Sequence, residues 1–313
     1  VKDYAVAYPA YPANPLGVIR EVEWHSVYDA HVYPVKVSSN KIEDTIRDVL
    51  QNVVNSLSQQ ERRNINQKDL DVILNALLSS LQALRVGPLY TYQENALHEP
   101  PILFKNRKKK CAIIVNIRTA GGKTLAFLVP ILIWIIFKKL IFKRTNKPYE
   151  GVKAILFYPT KALAHDQADT ILQLIWNISL FTKKHFNFVV SLGMLHGDTP
   201  SRWVKNPDQF PEELRYKCPA CGTRLNVELD NTGIINGSYM LIKEDKVICP
   251  NVSCALHQNG TQISLLNEVL RISREAIYSS PPDILIATPD MINKVLSDFP
   301  GHQSIFGRNA VSY

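Results

Sequence analysis

Acidic residues are in short supply in this chain. Its 313 residues carry 28 Asp and Glu against 36 Lys and Arg, a formal charge of +8, which leans towards a polyanionic partner. Long apolar runs are also missing. The longest uncharged apolar run, residues 125–137, has thirteen residues and includes Pro130, short of the roughly 20 that cross a bilayer. A buried helix accounts for it better than a membrane span. No secretory signal opens the chain, and Val1 stands where an initiator Met would, so a processed product or a fragment is expected. Cysteine is scarce at five. Four of these have metal-type spacing, so the expectation is a soluble, cytoplasmic protein. With 46% hydrophobic and 20% charged residues, the chain has ordinary globular composition and can form one large or two modest domains.

The most informative stretch is Arg118-Thr119-Ala120-Gly121-Gly122-Lys123-Thr124. It follows the β-branched run 112–117 and leads into the apolar segment 125–137. Strand, glycine turn, Lys-Thr and helix is the order a phosphate cradle needs. Small residues let backbone N–H groups approach phosphates, Lys reaches the β/γ oxygens, and the Thr hydroxyl can take Mg²⁺. The strict pattern asks for glycine at position 117, where this chain has Ile.

Around this stretch the chain changes rhythm. Residues 1–40 are rich in Tyr and Pro and read as extended or irregular. Residues 41–57 and 67–85 have helical periodicity, and Gly87-Pro88 closes this helical preface. Strands are then expected at 112–117, 152–158, 187–195 and 283–287, with helices at 123–140, 161–180 and 289–298. That alternation predicts an α/β, doubly wound parallel sheet, with ligands beyond the C-terminal strand ends. The basic runs 107–110 and 138–147 are either solvated loops or nucleic-acid contacts; the former also has the look of a nuclear localisation signal.

Residues 201–280 break the alternation. Cys218, Cys221, Cys249 and Cys254 form two close pairs separated by 27 residues, with a hairpin-like stretch between them. This is the ligand layout of a four-Cys zinc ribbon. His257 is an alternative to Cys254, and two disulfides are the competing reading. Four thiolates leave no open coordination position, so a structural rather than catalytic Zn²⁺ is expected. Cys111 reads as core packing.

Further signals surround the phosphate stretch. Gln93, beside Tyr90 and Tyr92, can read an adenine edge, or simply pack a helix start. Pro159-Thr160-Lys161-Ala162-Leu163-Ala164, His196-Gly197-Asp198-Thr199-Pro200 and Ala287-Thr288-Pro289-Asp290 each end an expected strand. Thr288 is placed to cap the helix after it. Caps and turns would explain any one of these, but not their joint order.

In that order the motifs resemble the first RecA-like domain of a superfamily 2 helicase of the DEAD/DEAH type, from about residue 88 to the end. Gln93 matches the Q motif, residues 119–124 motif I, residues 159–164 motif Ia, and Thr288-Pro289-Asp290 the later Thr-Pro-Gly-type motif. The resemblance implies ATP and Mg²⁺ as cofactors. Gln93 would recognise adenine, and Thr119, Ala120, Gly121 and Gly122 would line the phosphate loop. Lys123 and Thr124 would act in catalysis, on the β/γ-phosphates and Mg²⁺ respectively. Thr160, Lys161 and Thr288 would contact the sugar–phosphate backbone of one strand. The implied organisation is an N-terminal extended and helical region (1–86), a P-loop RecA-like domain (87–200), an inserted zinc ribbon (201–280), and the RecA-like continuation (281–313). Within the superfamily, the motif I and Leu-His-Gly-Asp-Thr-Pro stretches are similar to prokaryotic DNA helicases, including MrfA-like repair helicases and the DrmA helicase of DISARM phage defence.

Two departures stand out. Ala120 replaces the commoner Gly of motif I, and no Asp-Glu-x-His or Asp-Glu-Ala-Asp occurs. The acidic motif and a second RecA-like domain are expected to lie on a longer protein, and this chain alone should turn nucleotide over hardly at all. The implied function is the N-terminal portion of an ATP-dependent helicase or translocase working on a DNA (or RNA) single strand or duplex junction. The ribbon would meet duplex or a partner subunit. The alternative is a non-catalytic nucleic-acid-binding adaptor with a degenerate helicase domain. A P-loop kinase or transporter ATPase leaves residues 159–164 and 288–290 unexplained.

Overall fold

The computed structural model describes residues 41–98, 123–147, 151–201, 203–204, 216–230, 240–297 and 305–306. Readings that fall on residues 1–40, strand 112–117, the 107–110 basic run, Cys111 and loop residues 118–122 lie outside these.

Apolar positions three and four apart set the first elements. Ile46, Val49, Leu50, Val53 and Val54 are buried along helix α1 (Ile42–Ser56). Capping boxes then start two helices, Ser58 with Glu61 for α2 (Gln59–Arg62) and Asn66 with Asp69 for α3 (Gln67–Ala83). After α3, Arg85 takes φ 54° and the Val86 N–H donates to the Leu81 carbonyl at 3.0 Å. This left-handed closure ends the helix just before Gly87. Helix α4 (Thr91–His98) follows, then α5 (Lys123–Arg144).

Helix α5 is long and apolar enough to cross a membrane, but most of it is buried inside the protein. Leu128, Leu132, Ile133, Ile135, Ile136 and Phe137 are all fully enclosed, and α1 and α4 pack along the helix. The basic run that begins here is consumed internally. Lys138 pairs with Glu61, Lys139 with Asp283 (2.6 Å), and Arg144 with both Asp69 oxygens (2.6 and 2.8 Å). Asp69 in turn raises the Arg144 pKa. Of the two readings of residues 138–147, a free nucleic-acid contact is not what these three cations form.

Strand β1 (Ala154–Phe157), helix α6 (Lys161–Phe186) and strand β2 (Leu192–Leu195) come next. Helix α6 outruns its expected end because Lys183, Lys184 and His185 complement its C-terminus, and Asn187 closes it at φ 54°. That closure also removes the first residues expected in β2.

Residues 201–280 supply strands β3 (Trp203–Val204), β4 (Asn226–Asp230) and β5 (Met240–Ile248), an antiparallel sheet ordered β3-β5-β4. Helices α7 (Ala255–Gln258) and α8 (Gly260–Val269), strand β6 (Leu270–Arg271) and helix α9 (Arg274–Ser279) follow. Sequence periodicity had not marked these last four. Strand β6 pairs in parallel with β2, so this stretch contributes a strand to the main sheet. Strand β7 (Ile284–Ala287) and helix α10 (Pro289–Ser297) complete the described elements.

The main sheet is parallel, ordered β1-β7-β2-β6. Alternation along β7 sends Ile284 and Ile286 into the larger core and Leu285 and Ala287 into a smaller one with Met291, Ile292 and Val295 of α10. The sheet is therefore covered on both faces, which explains its unbroken apolar strands. Register is fixed at the strand starts by buried Asp283. Its carboxylate accepts from the Ser191 N–H (2.8 Å) and hydroxyl (3.0 Å) and pairs with Lys139. Its carbonyl accepts from the N–H groups of Lys153 and Ala154.

Candidate functional site

Strands aligned at their starts also end together. Phe157, Ala287 and Leu195 lie side by side in register, and the ladder continues through Thr288 N–H to the Leu195 carbonyl at 3.3 Å. The motifs following β1, β7 and β2 therefore leave the sheet from one edge, where open parallel sheets bind ligands. Thr160 caps α6, its hydroxyl accepting from the Leu163 N–H at 3.3 Å. Thr288 is buried immediately before α10.

Lys161 Nζ sits 2.5 Å from Asp198 Oδ2 with both side chains about half exposed. This hydrogen bond holds the Asp198 carboxyl below its ordinary range. Exposed pairs of this kind contribute at most about 1 kcal/mol, so Lys161 is available to another anion. The loop behind it is tied down by hydrogen bonds. Arg274 donates to the carbonyls of Gly197 (2.7 Å) and Thr199 (2.8 Å), and Thr199 Oγ1 accepts from the His196 N–H and donates to the Met194 carbonyl. His196 is 1% exposed. Its Nδ1 accepts from the Asp198 N–H (3.1 Å), and its Nε2 lies 3.1 Å from Nε2 of His165 on α6. Burial, then the neighbouring His165, push its pKa down to about 4, with Lys161 and Arg274 adding to the effect against Asp198.

Among the residues expected to bind nucleotide, Thr119, Ala120, Gly121 and Gly122 lie outside the described residues, as does the Lys123 side chain. Lys123 is the first residue of α5. Thr124, next to it, donates from Oγ1 to Gln167 Oε1 on α6 at 2.7 Å. That bond brings the start of α5 to the second turn of the helix that opens with Thr160 and Lys161. Gln93 is 8% exposed, and its Oε1 accepts from the Tyr90 N–H at 2.9 Å. The side chain thus serves the start of α4, while the Tyr90 and Tyr92 rings stack with centroids 5.5 Å apart. Helix α4 packs along α5, so the element carrying Gln93 and the element opening with Lys123 are neighbours.

The four cysteines converge. Their Sγ atoms all lie within 4.8 Å of one another, with Cys218–Cys254 at 3.7 Å and Cys221–Cys249 at 3.6 Å. Two turns shape the cluster. Gly222 takes φ 77° so that its N–H reaches the Cys218 carbonyl at 2.8 Å, and Cys254 caps α7. Burial pushes the Cys249 thiol up to about 11 and Cys218 higher still. At exposed Cys221 burial is outweighed by the Thr223 hydroxyl and amide and by the neighbouring thiols, which hold it at about 6. His257 does not join the cluster; its Nδ1 lies 2.6 Å from the Cys249 carbonyl. Asp169 of α6 anchors the knuckle, accepting from the Lys217 N–H (2.8 Å) and facing Arg224 at 3.3 Å.

His165, Gln167, Asp169 and Arg274 were not singled out from sequence. Three of them lie within nine residues of Thr160 on one helix, and that proximity to motif Ia is the only signal that marks them.

Comparison with known families completes the picture. No curated protein matches the chain. Residues 91–201, from the start of α4 to just past the His196 loop, match the model of the DEAD/DEAH box helicase family. The matched stretch holds Gln93, Lys123, Thr124, Thr160 and Lys161, and ends before the cysteine cluster and Thr288. Residues 91–201 are thus similar to a DEAD/DEAH box helicase domain, which supports the resemblance that the motif order carries.

Proposed function

We propose that this chain is the ATP-binding and strand-contacting portion of a superfamily 2 helicase or translocase acting on DNA. The observation that carries the reading is the common edge. Motif Ia, the His196 loop and the Thr288 turn leave adjacent parallel strands together, and the Thr124–Gln167 bond brings the start of α5 to the same helix. Lys123 then binds the β/γ-phosphates and Gln93 reads adenine, while Thr160, Lys161 and Thr288 hold the sugar–phosphate backbone. Residues 87–200 and 281–313 form one RecA-like unit in this reading, with 1–86 as its helical preface and 201–280 as an insertion that carries the ribbon and returns strand β6 to the main sheet.

Mg²⁺ suits the residues present. Thr124 offers a half-buried hydroxyl oxygen in the first turn of α5, beside the lysine that meets the phosphates. When bound with ATP, the ion neutralises charge on the phosphate oxygens. Zn²⁺ suits the cysteines. A tetrahedral ion at about 2.3 Å from each sulfur sets sulfurs about 3.8 Å apart, close to the two pair distances here. Cys218, Cys221, Cys249 and Cys254 would hold it as a closed structural site. The ribbon and the Leu-His-Gly-Asp-Thr-Pro stretch favour the prokaryotic DNA helicase group with repair and phage-defence members.

ATP hydrolysis by the complete protein, with and without single-stranded DNA or RNA, tests this. DNA should stimulate turnover, and Lys123→Ala should lower it by about 100-fold or more. Turnover indifferent to Lys123→Ala would sink the assignment. Stimulation by RNA alone would move the substrate.

A further inference from the structure

Resting on the phosphate-loop reading of Lys123–Thr124, we infer that Gln167 is a positioning residue for the Thr124 hydroxyl, setting which side of that oxygen is free for a metal ion.

The geometry is directional. Gln167 Nε2 faces Asp166 Oδ2 at 3.2 Å, while Gln167 Oε1 lies 2.7 Å from Thr124 Oγ1. A carboxylate only accepts, so Asp166 takes the amide nitrogen and turns the amide oxygen towards Thr124. An amide oxygen also only accepts, so the Thr124 hydroxyl donates to it. The hydroxyl proton is then committed towards α6, and both oxygen lone pairs face away from it. A hydroxyl that ligates a cation must present a lone pair rather than its proton. Gln167 secures this without adding charge beside the phosphates, which an acidic acceptor would do. Because Gln167 belongs to α6, which Thr160 caps, the same bond ties the metal-binding hydroxyl to the strand-contacting helix.

The test is equilibrium binding of a fluorescent ATP analogue to the 313-residue chain, with Mg²⁺ and with EDTA. Wild type, Gln167→Ala, Thr124→Val, the double variant and Lys123→Ala are compared, each first checked for an unchanged thermal midpoint. Gln167→Ala should cut the Mg²⁺-dependent gain in affinity by about three- to tenfold, as loss of one hydrogen bond would, and leave affinity in EDTA nearly unchanged. Thr124→Val should lose at least as much of that gain, and adding Gln167→Ala to it should cost nothing more. Equal losses with and without Mg²⁺, or additive losses in the double variant, would overturn the role of Gln167. So would a Gln167→Ala chain with the wild-type Mg²⁺ gain while Lys123→Ala binds weakly, and that outcome spares the phosphate-loop reading. If wild type binds no nucleotide, or Lys123→Ala binds as well as wild type, the reading fails and Gln167 falls with it.

Discussion

His196 concentrates the chemistry of the strand-end loop in one ring. It is buried, meets a second imidazole, and has Lys161 and Arg274 nearby, so the folded protein binds its proton only near pH 4. The unfolded chain binds it near the ordinary 6.5. Between these values the unfolded state holds more protons, so stability is whole above pH 6.5 and declines as pH falls towards 4, by about 3 kcal/mol. Urea unfolding of wild type and His196→Gln at pH 7 and pH 4.5 measures this. The variant should lose less stability on acidification, and parallel losses would show that another group is responsible. Some of this site could be read from sequence. Thr160, Lys161 and Thr288 stand in motifs at strand ends, where local order alone predicts their edge. The partners of the His196 loop and of Thr124 could not, because His165, Arg274 and Gln167 meet them across 31 to 77 residues of chain, and only the sheet topology brings them together.

Among the elements, the three aligned strands depend on one carboxylate. Asp283→Ala would remove the ion pair with Lys139 and the acceptor of the Ser191 amide. Breaking a buried pair by removing one member costs about 3–5 kcal/mol. The urea midpoint should fall correspondingly with an unchanged slope; a loss below about 1 kcal/mol would mean the strands find their register without it. Helices α1 and α3 were legible because each repeats its apolar pattern over enough residues to show a period, and strand β7 because its unbroken apolar run lies between Pro282-Asp283 and Thr288-Pro289. Strand β6 was not. Two residues carry no period, and only pairing with β2 defines them. Strand β2 fell short of its expected span because Asn187 is spent on closing α6 and Ser191 on Asp283. The same Asp283 contacts explain why part of the 138–147 run, read as a surface feature, faces inward.

At the scale of the molecule, Cys218, Cys249 and Cys254 belong to the same core as the sheet and the N-terminal helices. Of the four clustered cysteines, only Cys221 is exposed. A metal there would stabilise the whole described body rather than a loose appendage. Calorimetry with a zinc chelator, and of Cys218→Ser, should show one transition shifted down by roughly 10 °C or more, given several kcal/mol of lost binding free energy. Two separated transitions, the lower one alone sensitive to chelator, would show that the cysteine-bearing stretch melts independently.

One further arrangement bears on how such a body moves. Near its start α5 is bonded to α6 through Thr124 and Gln167, and near its end Lys143 donates to the carbonyls of Phe186 (2.9 Å) and Asn187 (3.1 Å). Thr124 to Lys143 and Gln167 to Phe186 span the same nineteen residues, about 29 Å of helix, so the two rods run in the same direction and are pinned at both extremities. Two ties so far apart resist a tilt of one rod against the other, so a displacement at the Thr124 end of α5 is expected to be felt by α6 along its length.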